Sequence, residues 1–166
     1  MHKSPTPNRR VYREQRFRIP SPVERTLGLW VDRIGSSVDS ASRGAPALRI
    51  LGQYAAVHVL SGSGRFVSPT SGEVAVSAPD VMVLFPDEPA AYWPEDSWET
   101  LWIVWKGEDA DRLARGGYLE RRRPVVADRL GAASQAHAAL TRILHREDRD
   151  AALLVGLDAG WPLEKA

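Results

Sequence analysis

Acid–base, nucleophilic or metal chemistry in this chain has few starting points. It contains no cysteine, which removes thiolate metal ligands, a Cys nucleophile and disulfides. The imidazoles are His2, His58, His137 and His145. A metal site in a β-barrel enzyme typically gathers two His and a Glu on one strand pair, with a third His on another. Here His2 is near the N-terminus, and His137 and His145 fall in a helical C-terminal stretch. Only His58 sits among strands, where alternation turns Ala55, Val57, Val59 and Ser61 inward and His58 outward. No metal and no cofactor are expected. Neither Ser61 nor Gly62-Ser63-Gly64 fits a Gly-x-Ser-x-Gly nucleophile elbow, since the region turns between strands instead of opening a helix. The carboxylates Glu95, Asp96 and Glu99 are close enough for acid–base work, but they read better as a solvated loop rim. The expectation is a protein that is not an enzyme.

Nucleic-acid chemistry has its own candidates. Lys3, Arg9, Arg10, Arg13, Arg16 and Arg18 face only Glu14 in the first 18 residues, leaving a body with 16 basic and 20 acidic residues. A basic arm thus precedes a mildly acidic body. It can meet phosphate, fold back on that body or stay solvated. Arg121-Arg122-Arg123 is the second basic feature. The one fragment like a helix-turn-helix, Ala152 to Gly156, is followed by Pro162, so specific DNA binding by this chain alone is not expected. Val11 to Ile19 is broken by charges and gives no signal peptide, and Val81 to Phe85 and Ala151 to Leu157 are too short to span a bilayer. A cytoplasmic protein without a membrane partner is expected.

The elements that must position these residues are mostly strands. Residues 1–26, rich in Pro, Arg and Ser, read as the arm. Leu27 to Ile34 reads as a first strand and Gly35 to Pro46 as a loop. Short strands separated by turn residues follow: Gln53 to Leu60, Arg65 to Val67, Glu73 to Ser77, Val81 to Phe85 and Trp98 to Trp105. This pattern points to an all-β barrel or sandwich. In the last strand, Trp98, Thr100, Trp102 and Val104 share one face, while Leu101, Ile103 and Trp105 share the other. A strand apolar on both sides needs cover on both sides. Helices over Asp109 to Arg115 and about 128–146 are the obvious outer cover. The second carries Leu130, Ala133, His137, Leu140 and Leu144 at helical spacing.

Three segments carry a family resemblance. YAAVHVLSGSGRF is similar to an opening hairpin of apolar strand and Gly-x-Gly. APDVMVLFPDEPAAYWPED resembles a segment of Pro-Gly-Asp, apolar strand, Pro and aromatic, with Pro79 in the place of the common Gly. WETLWIVWKGEDADRL is similar to a Trp-x-x-x-Trp strand that feeds a short helix. Their order over Arg49 to Val126 resembles the N-terminal effector-binding domain of AraC-family transcription regulators, without the C-terminal helix-turn-helix domain.

The resemblance implies a mainly β fold: a cupin-like double-stranded β-helix, or jelly-roll barrel, over 27–106. A helical tail over 107–166 would follow, with a dimerisation helix. Homodimerisation through Leu130, Ala133, His137, Leu140 and Leu144 is implied in the same way. The positions matching the sugar contacts of the family's arabinose-binding member are Ser61, Tyr92, Thr100 and Trp102, and Trp98 shares their strand face. Trp102 would offer an apolar platform, and Tyr92 and Thr100 hydrogen bonds, to a small-molecule effector with sugar-like character. The alternative is that Trp102 and Tyr92 simply fill the barrel. The implied function is effector sensing and dimerisation for transcriptional control. A small cupin enzyme, such as a sugar isomerase or epimerase, is the rival.

Overall fold

The computed structural model describes residues 9–41 and 44–158. His2, Lys3 and the Gly160-Trp161-Pro162 break lie outside the described residues. Two long strands organise the molecule. β3 (Tyr54–Ser68) and β6 (Ala91–Lys106) lie antiparallel along most of their length, from Tyr54↔Trp105 to Val67↔Ala91. Around them β1 (Arg9–Phe17), β2 (Trp30–Ser40), β4 (Gly72–Ser77), β5 (Asp80–Leu84) and β7 (Val125–Ala127) complete an antiparallel sheet of order β1-β2-β6-β3-β5-β7, with β4 paired to β3.

The ribbon of β3 and β6 bends midway. Register shifts fall between Val59 and Ser61 and between Gly62 and Gly64. Gly62 has a left-handed φ of 90°, and a Cβ on Gly62 or Gly64 would collide with the carbonyl oxygens of Ser97 or Trp93. Such bulges rotate a strand and let it serve two sheets. Ser61-Gly62-Ser63-Gly64 is therefore a barrel corner inside one strand, where a turn between two strands was expected. The stretch Tyr92 to Asp96, expected as a loop, is likewise part of β6. The result is a cupin-like barrel, mainly β and followed by helices.

Inside it lie Val57, Val59, Phe66, Val76, Met82, Leu84, Trp98 and Val104, all buried. A second apolar cluster of Tyr54, Phe85 and Ala110 sits between the barrel's outside and α2 (Glu108–Arg115). There Trp105 stacks on Tyr54 with ring centroids 5.8 Å apart. This is the outer cover that the two-sided β6 requires.

The expected arm is corrected in its described part. β1 pairs along β2, and α1 (Pro22–Leu27) follows, opened by a capping box between Ser21 and Glu24 and closed by Gly28 at φ 75°. The loop expected over Gly35 to Pro46 is corrected as well, because β2 continues to Ser40. Its small polar residues have backbone partners on both sides, in β1 and β6. The sheet thus draws strands from both sides of 27–106. α3 (Ala132–Asp158) starts after Gly131, where Asp128 accepts hydrogen bonds from the backbone N–H groups of Ala132 and Ala133 at 2.8 and 3.0 Å. Leu130 precedes the helix and is 87% exposed, so it does not belong to the helical stripe assigned to it. Among the described residues no helix is long and apolar enough to cross a membrane.

Candidate functional site

Alternation along β6 holds. Trp98, Thr100, Trp102 and Val104 point into the barrel, but only Trp102 and Val104 border open space. Trp98 is 1% exposed, and its indole Nε1 donates to Asp39 Oδ2 at 3.3 Å. Asp39 also accepts both Nε and Nη2 of Arg10 at 2.8 Å, a bidentate pair set up by the cross-strand register Arg10↔Asp39. Burial works against the Arg10 charge, but the Asp39 carboxylate outweighs it, and the Arg10 pKa lies above its ordinary value. Thr100 and Ser37 share a buried hydroxyl–hydroxyl hydrogen bond of 3.0 Å. This end of the lumen is filled and its polar groups are paired.

The other end is open. A cavity of about 290 Å³ has an apolar floor of Ala55, Val57, Leu84, Ala90 and Val104. Trp102 and Tyr92 form its aromatic wall. Tyr12, from β1, meets Trp102 edge to face with centroids 6.2 Å apart. Tyr92 lies between the Arg10 guanidinium, 5.4 Å from its ring centroid, and the Trp98 ring at 6.2 Å. Gln15, Arg33, Arg49, Ile50 and Leu51 complete the lining.

Of the expected ligand-binding residues, Tyr92 and Trp102 therefore line the cavity. Ser61 does not: the bulge after Val59 reverses the inward alternation, and its side chain is exposed. Thr100 and Trp98 face inward but are packed away from the space. The missed residues, Arg10, Tyr12, Gln15, Arg33 and Arg49, come from β1, β2 and the segment before β3. One signal for them was present, since a basic arm beside an acidic body suggested the pairing that Arg10–Asp39 and Arg13–Glu99 now make.

The profile of the AraC-like ligand binding domain matches residues 47–156. The chain belongs to this AraC-like family. Among curated proteins none matches it. Solved structures with shallow likeness include the Clostridium difficile EutQ protein, at 10% identity over 61% of this chain and 71% of that one, TM-score 0.43. The Schizosaccharomyces pombe Cnp3 cupin domain shares 9% identity over 67% and 75%, TM-score 0.45. Ectoine synthase from P. lautus shares 12% over 48% and 54%, TM-score 0.39. These likenesses are too shallow to bear on chemistry.

In this AraC-like domain the remaining candidate groups sit away from the cavity. Among the described residues no three His, Asp or Glu side chains gather as a metal-holding group. Glu95 binds Ser63 and Arg65, and Glu99 binds Arg13. His58 lies on the barrel's outer face under α3, and His137 reaches that face from α3 itself. His58 Nδ1 is 3.3 Å from Ser134 Oγ, while its buried Nε2 has no hydrogen-bond partner among the described residues and stands 3.7 Å from Asp128. His137 Nε2 donates to the Gly35 carbonyl at 3.1 Å. Burial pushes both imidazoles below their ordinary pKa, against the pull of Asp128 on His58 and of the Gly35 carbonyl and Glu14 on His137. His137 and Leu144, two members of the expected dimerisation stripe, are thus buried against the chain's own sheet, with Ala133 and Leu140 half-buried beside them.

Gly35 connects the two sides of this wall. A Cβ there would collide with the Trp102 ring and with the Glu14 carbonyl. Trp102 rests on Gly35 from the cavity side while His137 of α3 binds its carbonyl. The aromatic wall and the helix are separated by one peptide.

Proposed function

We propose that this domain is the effector-sensing and dimerisation part of an AraC-type transcriptional regulator working in the cytoplasm, and not an enzyme. A small organic molecule enters the barrel and rests against Trp102, and the change reaches α3 through Gly35 and His137. The observation that carries this reading is the open cavity beside Trp102 and Tyr92. Its volume lies near the lower end of the range for small-molecule sites, about 300–1,000 Å³, and its lining is apolar with a few convergent polar groups.

Acid–base catalysis finds little support. No Asp, Glu or His is among the described residues lining the cavity, which also counts against a sugar isomerase or epimerase. A sugar-like effector has the Trp102 platform in its favour, but the Ser61 and Thr100 hydroxyls it would use do not face the space.

Tryptophan fluorescence across a metabolite panel, with native mass spectrometry of the purified protein, tests the reading. Wild type should respond to at least one small molecule, and Trp102→Ala should lose the response while remaining folded. No response together with no retained molecule would leave a scaffold and no sensor.

A further inference from the structure

We infer that the molecule held in this cavity is an organic oxyanion, a carboxylate or phosphate carried on an apolar or aromatic body. The inference rests on the cavity being the effector site, and it replaces the neutral, hydroxyl-rich ligand with an acidic one.

Three arginines, Arg10, Arg33 and Arg49, line the space, and no carboxylate lines it among the described residues. Among the described residues only Arg10 of the three has a carboxylate within ion-pair distance. Arg10 is held by both oxygens of Asp39. Arg33 donates Nη2 to the neutral Gln53 amide oxygen at 3.1 Å and lies 5.9 Å from the Phe17 ring centroid. The carboxylate that senses its charge, Asp32, is itself bound by Lys106 at 3.0 Å. Arg49 fixes its backbone to Ala90 through a bridge with two 3.0 Å hydrogen bonds, and its side chain makes no ion pair among the described residues.

Two arginines without an ion pair among the described residues, beside a low-dielectric floor, favour a positive potential in the cleft. Guanidinium is a donor-only group whose planar fork matches carboxylate and phosphate oxygens. A sugar needs acceptors as well as donors, and this lining offers few: the Gln15 amide and the two tyrosine hydroxyls. Below the rim, Ala55, Val57, Leu84 and Val104 take an apolar body, which Trp102 and Tyr92 flank with their rings.

The test is calorimetry and tryptophan fluorescence on the full chain with matched probes. Phenylacetate and phenyl phosphate represent the two oxyanions. Phenylacetamide and L-arabinose are the neutral arms, and inorganic phosphate is the anion without a body. At least one of the two phenyl anions should bind, and which one does identifies the acid. Phenylacetamide, arabinose and inorganic phosphate should each bind roughly tenfold more weakly or less, as expected for loss of a charge-assisted hydrogen bond or of the buried body. Arg33→Gln and Arg49→Gln should each lower anion affinity roughly tenfold. Arg65→Gln, whose side chain pairs outside the cavity with Glu73 and Glu95, should change nothing.

Equal binding of phenylacetate and phenylacetamide would overturn the inference and leave the cavity an effector site. So would tight arabinose binding with both anions silent, or anion affinity unchanged in both arginine variants. Silence from every probe, with no small molecule carried through purification, would overturn the inference and the sensing reading together.

Discussion

Trp98 and Trp102 stand four residues apart on the same face of β6, yet they do different work. Trp98 is enclosed and hydrogen-bonded to Asp39, whereas Trp102 is half-buried at the edge of open space. Trp98→Ala should cost about 3–5 kcal/mol, the usual price of truncating a buried aromatic, measured by denaturant unfolding. Trp102→Ala should cost clearly less and remove ligand binding instead. Strand parity, legible in the sequence, put both rings on the inner face. What alternation could not supply was depth, because depth depends on partners from distant strands: Ser37 occupies the Thr100 hydroxyl and Asp39 the Trp98 indole. Ser61 was out of reach for another reason, since one extra residue at the bulge after Val59 reverses every later side chain. The buried imidazoles lead to a pH prediction. His58 and His137 are neutral in the fold and have depressed pKa values, with Asp128 and Glu14 pulling the other way. The unfolded chain, with histidines near their ordinary value of about 6.5, then binds more protons as the medium acidifies. The stability tied to their neutral state is complete above about pH 6.5 and is lost as pH falls toward the folded-state values. Thermal melts should show a falling midpoint over that window, and the double variant His58→Gln/His137→Gln should flatten the slope.

At the scale of elements, β1 departs furthest from expectation. Arg9 to Phe17 has no apolar alternation, so it reads as a solvated arm. It is nevertheless an edge strand, and edge strands are often charged because charge discourages pairing with another chain. The strand is held by β2 and by Arg10–Asp39 and Arg13–Glu99, contacts that no local pattern can announce. α3 was legible as a helix through its spacing, although it spans Ala132–Asp158 where about 128–146 was expected, and so was its place as outer cover; which members of the stripe that cover would use was not. His137 and Leu144 face the chain's own sheet, so a second copy would have to use the outer side, where Ile143 is 52% exposed. Ile143→Glu, which need not disturb the barrel, should shift the sedimenting mass from dimer toward monomer at micromolar concentration. A wild-type protein that sediments as a monomer throughout would remove the dimerisation proposal.

For the whole molecule, the net charge of +1 conceals how the basic residues are spent. Arg10, Arg13 and Arg18 of the basic segment pair with Asp39, Glu99 and Glu24, while Arg121 pairs with Asp87 and Glu88. Cations already committed to internal carboxylates have little left for phosphates. This chain alone should therefore bind duplex DNA weakly, without preference between a regulatory sequence and its scrambled version, and with an affinity that collapses as salt rises. Nanomolar discrimination between the two duplexes at physiological salt would contradict this. The one-peptide wall at Gly35 has a further consequence for how occupancy and output are related. A ligand moves an equilibrium only by its unequal affinity for the two states. Under the proposed sensing role, a molecule that tilts the Trp102 ring would disturb the peptide that His137 grips, register on the helix side and act as an agonist. One that fits beneath the ring without tilting it fills the same space silently, and the site would then admit antagonists of nearly the same shape as its inducers.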